Sequence, residues 1–260
     1  MLRRYPVKSM LGEELDTADV TVRGIAGDRT HALIDAETGK IASAKNPRLW
    51  ASLLTMKGVD ALKSTDDELS RAVGRRVRLV SKAPEGATLD RARPDEILAK
   101  SIGANSIGAN SIGANSIEAE VGFDVSRVAP GTFFDFAPLH ILTSATIERL
   151  KIKDIIRYRP NLVLCLNIDE LGLTGRTIHI GDSLRVRVIV PTPRCAVPTL
   201  AHGDLPRDIE ALRTPSRLNR LPVLGPGGLD LGKLACVGVY ADVLEPGRIN
   251  VGDSVRVIEV

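Results

Sequence analysis

No apolar run in the chain approaches the length needed to span a membrane. The N-terminal stretch MLRRYPVKS lacks the apolar core of a signal peptide and enters a patterned strand almost at once. A cytoplasmic protein with no membrane partner is therefore expected. Cysteine is scarce, with 3 among 260 residues. An odd, small number makes no disulfide framework and points to a reducing compartment. Strong charge of either sign is also lacking. A formal net charge of +3 is too small to argue for a nucleic-acid partner, although it suits an anionic small molecule.

Several catalytic signatures are missing as well. No GxGxxG opens a helix, and no βαβ rhythm runs through the chain, so a parallel dinucleotide-binding sheet is not expected. The run GGLDLGK at 227–233 fits GxxxxGK, but Leu234 stands where a phosphate loop needs Ser or Thr. The segment that follows, LACVGVYADV, reads as a strand, so no helix N-terminus would face phosphates. The four histidines (His31, His140, His179, His202) show no HExxH or paired spacing. No CxxC or iron–sulfur pattern occurs, so the chain carries no cluster of its own.

What is present is mainly β with some α. Residues 2–82 hold short patterned runs (LRRYPVKS, ELDTADVTV, RTHALIDA, KIASAK, LWASLLTM, VRLVSK) separated by turn residues, as short strands require. DAETGK at 35–40 predicts a hairpin turn, with Gly39 supplying a positive φ. Thr65 and Glu68 form a capping box for a helix through DELSRAV that Gly74 can stop. Three identical SIGAN units then occur between 101 and 115. A five-residue period matches neither helix nor strand and reads as a surface insertion. Beyond about 126 the chain is strand-rich with a few helices. Ser144 can cap a helix through ATIERLKI, NLVLCLNI reads as a buried strand, and RDIEALR as a short helix. IHIGDSLRV at 178–186 and INVGDSVRV at 249–257 echo each other, each a Gly-Asp turn feeding an alternating strand. They suggest equivalent strands of one closed or nearly closed barrel.

Of the cysteines, Cys165 in VLCLN and Cys236 in ACVGV sit in apolar strand contexts and read as core. Cys195 follows a strand, lies among Pro191, Pro193 and Pro198, and stands beside Arg194. A guanidinium favours the thiolate. From context alone, a free nucleophile, a metal ligand and a small packed residue all stay open. A nucleophile needs a base, for which only His202 is near in sequence.

A set of landmarks runs through nearly the whole chain: YPVKS at 5–9, GDR at 27–29, NPRL at 46–49, LHILTSATIERL at 139–150, RYRPNLVL at 157–164, IGDSLRV at 180–186, PRC at 193–195 and the closing PGRINVGD. In this order they make the sequence resemble the MOSC family, in members that carry an N-terminal MOSC-type β-barrel domain. These include the mitochondrial amidoxime-reducing component and its bacterial relatives. The resemblance implies an N-terminal β-rich domain at 1–85, a variable linker with the SIGAN insertion at 86–125, and a MOSC domain at 126–260. It implies a molybdenum cofactor of the molybdopterin form, with Cys195 as ligand to the metal. Lys8, Ser9, Arg29, Arg159, Asn161 and Arg194 are implied as its binding residues, with Thr143 and Ser144 as further candidates. Taken singly, Lys8 and Arg29 read as solvated strand charges, and Arg159 and Asn161 as the end of a helix before Pro160. The family is also associated with pyridoxal phosphate, to which no residue here is assigned.

The implied activity is reduction of N-oxygenated small molecules by an oxidoreductase. Its electrons would come from an external donor protein, a flavin, iron–sulfur or haem reductase. His202 and Asp204 are candidate rim residues, and otherwise a polar loop. A sulfur carrier or cofactor-handling protein working through a Cys195 persulfide, and a binding module without turnover, remain alternatives.

Overall fold

The computed structural model describes residues 1–93, the backbone of 123–127, and residues 133–258. The SIGAN repeat lies outside the described residues. In chain order the strands are β1 (Leu2–Arg4), β2 (Glu13–Leu15), β3 (Thr17–Thr21), β4 (Gly24–Ile25), β5 (Ala32–Asp35), β6 (Val77–Val80), β7 (Thr88–Ala92) and β8 (Phe123–Arg127). They continue as β9 (Leu139–Thr143), β10 (Leu162–Leu164), β11 (Thr177–Ile180), β12 (Leu184–Pro193), β13 (Arg220–Leu224), β14 (Asp230–Glu245), β15 (Gly247–Asn250) and β16 (Val255–Ile258). The helices are α1 (Pro47–Trp50), α2 (Gly58–Ala61), α3 (Asp66–Val73), α4 (Ser144–Arg149), α5 (Glu170–Leu173) and α6 (Glu210–Leu218). The fold is mainly β with peripheral helices, as the patterning implies.

The largest sheet has nine strands in the order β16-β11-β12-β14-β9-β10-β1-β2, with β13 paired to β14. Within it only β9 and β10 run parallel. Its two ends meet. β2 passes into β3 through the single residue Asp16, and β3 pairs β15, which turns into β16. The Val251 amide donates to the Asp16 carbonyl at 2.8 Å across this seam. Closure of this kind protects sheet edges from water and from other chains. The interior is apolar: Leu2, Leu139, Ile141, Leu162, Ile178, Leu184, Val186, Val239 and Ile249 are all buried. β12 shows the cause. Leu184, Val186 and Val188 point inward while Arg185 points out, the period of two that a half-buried strand needs, before a bulge between Val188 and Val190 turns Val190 into a separate cluster with Val223 and Cys236.

The N-terminal third is not a detached layer, because β1 pairs β10 and carries the large sheet across. The stretch read as a linker begins and ends in strand. β7 and β8 form an antiparallel ribbon. The echoed segments sit at one corner of the barrel. The first is the β11–β12 hairpin, with Gly181 at φ 61°. The second is split, with β15 on β3 and β16 on β11.

Several local expectations hold and others shift. The capping box on α3 is present in both directions, and Gly74 ends the helix in the left-handed region. LWASLLTM, expected as a strand, is instead α1 followed by a 3₁₀ turn at Ala51–Thr55. Pro47 at the first helical position sets that start, and Trp50 and Leu53 then share one face against Val7, Met10 and Leu33. KIASAK contributes only an isolated bridge between Ile34 and Ile41. Thr143, not Ser144, caps α4, its hydroxyl accepting from the Thr146 amide. Cys236 is buried as expected, but Cys165 is exposed, because β10 ends at Leu164.

The expected helix at RDIEALR starts later and continues past Pro215. A proline there cannot donate to the carbonyl four residues back, at Ala211. The Tyr158 hydroxyl takes that carbonyl instead, at 2.9 Å.

Leu162 is fully buried and Leu244 is 52% exposed, both on strands of the large sheet. Leu162→Ala is expected to cost about 2–5 kcal/mol in urea unfolding, and Leu244→Ala less than about 0.5 kcal/mol. Equal costs would contradict this assignment of the barrel interior.

Candidate functional site

Loops at one end of the large sheet converge on a single pocket. Arg194 directly follows β12, and its amide donates to Ala235 at 2.8 Å, which carries the ladder one residue further. Cys195 comes next, half-buried against Ala44, Leu54, Val197 and Leu200. Lys8 and Ser9 lie in the loop after β1, Arg29 in the turn after β4, and Arg159 and Asn161 just before β10. Among the described residues, four non-glycine residues adopt a positive φ, and three of them, Ser9, Arg29 and Arg159, line this pocket. Each such conformation costs about 1 kcal/mol or more and persists only where its surroundings impose it. At Arg29 the amide donates to Tyr5 at 2.7 Å, and at Ser9 the hydroxyl accepts from the Ala44 amide at 3.0 Å.

The pocket holds about 60 Å³ of open space and, among the described residues, is lined by five cations, Lys8, Arg29, Lys45, Arg159 and Arg194, against one carboxylate, Asp135. Lys8 and Lys45 both lie 2.7 Å from the same Asp135 oxygen, Oδ1. Burial would raise the Asp135 carboxyl, but the two ammoniums outweigh it and hold the group well below the usual carboxylate range. Burial pulls the Lys45 ammonium down to about 8 despite Asp135.

The guanidinium of Arg159 lies 4.3 Å above the Tyr5 ring and donates to the Met10 carbonyl at 2.6 Å. Burial lowers it to about 10. Arg29 pairs with the buried Asp28 and donates to Asn161 Oδ1 at 3.1 Å. Asn161 is spent on bracing. Its Oδ1 also accepts from the His140 amide, and its Nδ2 donates to the Arg3 carbonyl. Arg194 donates to the Tyr158 carbonyl at 3.1 Å, and its buried Nε has no partner among the described residues. Burial, with Arg194 beside it, pushes His140 down to about 3, so its imidazole is neutral.

The structure thus brings together Lys8, Ser9, Arg29, Arg159, Asn161, Arg194 and Cys195. It leaves out four expected residues. Thr143 is buried at the start of α4, and the Ser144 hydroxyl donates to the Leu166 carbonyl at 2.9 Å. Thr143 caps the helix, Ser144 ties its first turn to Leu166, and neither lines the pocket. His202 and Asp204 line a different cavity with Leu11, Lys57 and Ile156, away from Cys195. The loop after Cys195 makes a 3₁₀ turn at Val197–Thr199 and carries them off. Lys45, Asp135, His140, Tyr158 and Tyr240 also line the pocket and were not anticipated. Lys45 had one signal, its place directly before the NPRL landmark. Asp135 had none, since only folding sets it between two lysines.

The fold is a mainly-β barrel with a cationic pocket and the Cys195 thiol on its wall. Family models agree: the MOSC N-terminal beta barrel domain matches residues 1–91 and the MOSC domain residues 130–256. The chain belongs to the MOSC family, whose members bind molybdenum-cofactor-related ligands in general. The crystal structure of YiiM from Geobacillus stearothermophilus is similar over 55% of this chain and 69% of that one, at 17% identity and a TM-score of 0.28. No curated protein matches the sequence. Among the described residues no helix is long and apolar enough to cross a membrane.

The donor set fits such a cofactor. Its phosphate suits the surplus of buried cations, its metal suits the Cys195 sulfur, and Arg194 Nε is a buried donor awaiting an acceptor. Among the described residues no cluster of three or more His, Cys, Asp or Glu is placed to hold a bare ion.

His202 supplies a pH test. Its Nδ1 faces the Leu200 carbonyl at 3.0 Å, so Nδ1 carries the proton and the buried Nε2 is a bare acceptor. Burial lowers the folded value to about 4, below the ordinary 6.5. As pH falls through 6.5 the unfolded chain takes up a proton that the folded chain refuses, so stability drops between 6.5 and 4. Relative to His202→Gln, the wild type is expected to lose roughly 3 kcal/mol between pH 7 and pH 4 in urea titrations. Parallel pH profiles would contradict this reading of the ring.

Proposed function

We propose that this protein is a molybdenum-cofactor oxidoreductase that reduces N-hydroxylated small molecules, with electrons delivered by an external flavin, iron–sulfur or haem reductase in the cytoplasm. The observation that carries the reading is the gathering of five cations around one carboxylate beside Cys195. Burying such charge unpaired is costly, so an anionic occupant offsets a penalty already built into the fold.

The Cys195 thiolate is the protein's ligand to the metal. Lys8, Arg29, Arg159 and Arg194 hold the phosphate and the pterin edge, the guanidiniums through paired donors and the lysine as a point charge. Asn161 fixes Arg29, and Tyr5 fixes Arg159 from below. When bound, the cofactor supplies the two-electron couple that the chain itself lacks. Over the whole reaction one N–O bond breaks, two electrons and two protons are taken up, and one water leaves. The buried walls around Arg159 and Asn161 keep bulk water from the anchored edge.

Purified wild type is expected to hold molybdenum and pterin near one per chain. Cys195→Ser is expected to lose most of the metal. Lys8→Met and Arg194→Gln are expected to lower pterin content several-fold, since a charge-assisted hydrogen bond is worth about 1.5–3 kcal/mol. Metal analysis and pterin fluorescence read these outcomes, and benzamidoxime turnover with a flavin-linked donor reads the activity. A persulfide on Cys195 in metal-free protein would sink the reductase reading in favour of a sulfur carrier. A loaded protein inert with several donors would leave a binding module.

A further inference from the structure

A second cavity, of about 330 Å³, adjoins the cationic pocket and shares Lys45, Asp135, Arg194, Cys195 and Tyr240 with it. Cys195 therefore stands where the two spaces meet. The second space is different in kind. Its private walls are Val190 and Pro193 of β12, Val223 and Leu224 of β13, Leu231 of β14, and Phe136. The Phe136 and Tyr240 rings stack at 5.5 Å with planes 26° apart, giving the cavity a flat aromatic side. Leu224, Leu231 and Phe136 stay partly open to water, at 56%, 42% and 38%. Apolar groups held at the mouth of a concave site are a mark of ligand binding. Gly225 lets the β13–β14 turn fold over, since a Cβ there would press on Leu231 at 3.2 Å.

One further charged side chain belongs to this cavity and not to the other, Arg91 of β7. Among the described residues the cations here are Lys45, Arg91 and Arg194, and the one carboxylate, Asp135, already accepts from two ammoniums through Oδ1. The balance favours an anion at the Arg91 side and an apolar body at the hairpin side.

We propose that this second cavity is the substrate site and that it takes a flat, apolar, ring-containing molecule bearing an anionic substituent. The body packs between the Phe136–Tyr240 stack and the β13–β14 leucines. The anion meets Arg91, and the reducible end points toward Cys195. The assignment of the reducible end rests on the reading of the neighbouring pocket as the cofactor site. The cavity's preference for an aromatic acid does not depend on it.

The test measures binding directly. Isothermal titration calorimetry of the full chain with 2-naphthoate and with neutral 2-naphthylmethanol separates charge from shape. Naphthoate is expected to bind at least about tenfold more tightly, the size of one charge-assisted pair. Arg91→Gln is expected to erase that preference while leaving the alcohol unchanged. Leu231→Asp and Leu224→Asp, both at partly exposed positions that tolerate a polar side chain, are expected to weaken both ligands about tenfold or more. Equal affinity for the two ligands, or an unchanged Arg91→Gln, would overturn the anionic assignment. Indifference to both leucine variants, or no binding at all, would overturn the cavity. Absence of molybdenum in the wild type overturns the cofactor reading alone and leaves these binding outcomes as they are.

Discussion

Like charges repel, and among the described residues five cationic side chains face one pocket with a single carboxylate among them. The rest of the site is arranged to bear that repulsion. Asp135 lies between Lys8 and Lys45 and stays ionised against its own burial. Arg159 rests on the Tyr5 ring, whose face attracts a cation without adding a counter-charge. Arg29 is neutralised from behind by Asp28, which also accepts the Tyr5 amide at 2.7 Å. Carbonyls of Met10, Phe133 and Tyr158 take one donor each from Arg159, Lys8 and Arg194. These contacts keep the cations in place without cancelling them all, so the pocket retains affinity for an anion.

Such an arrangement needs a stiff frame. The left-handed residues Ser9, Arg29 and Arg159 hold conformations that a free chain would leave. The barrel supplies the restraint. β1, β10, β9, β14 and β12 are consecutive in the sheet; the loops after β1 and β12 and before β10 carry site residues, and β9 and β14 add His140 and Tyr240. Behind the site, buried Glu170 accepts from the Gly238 amide, from Asn219 and from Arg149, tying α5, the end of α6 and the bend in β14 together. Gly238 at φ 77° also leaves room for His140, whose ring a Cβ there would strike at 2.6 Å.

Much of the fold was legible in local pattern. The alternation in LRVRV, the capping box at Thr65 and Glu68, and the Gly74 stop all depend on neighbours a few residues away, and all appear in the structure. The failures share a cause as well. LWASLLTM has an apolar content that suits either strand or helix, and packing on Val7 and Met10 decided it. Cys165 reads as core by composition, yet β10 stops one residue short of it. Thr143 and Ser144 fall in a landmark, but the Thr143 hydroxyl caps α4 and the Ser144 hydroxyl is spent on the Leu166 carbonyl.

By itself the sequence determined the β-rich class, the capped helix, the unusual setting of Cys195 and, through its ordered landmarks, the basic residues gathered beside it. Only the tertiary structure decided which charges share a space. Lys45 and Asp135 are 90 residues apart in the chain and 2.7 Å apart in the fold. His202, seven residues from Cys195, is turned into another cavity. Separation in sequence sets neither outcome, because barrel closure brings distant loops together while a single turn separates close neighbours.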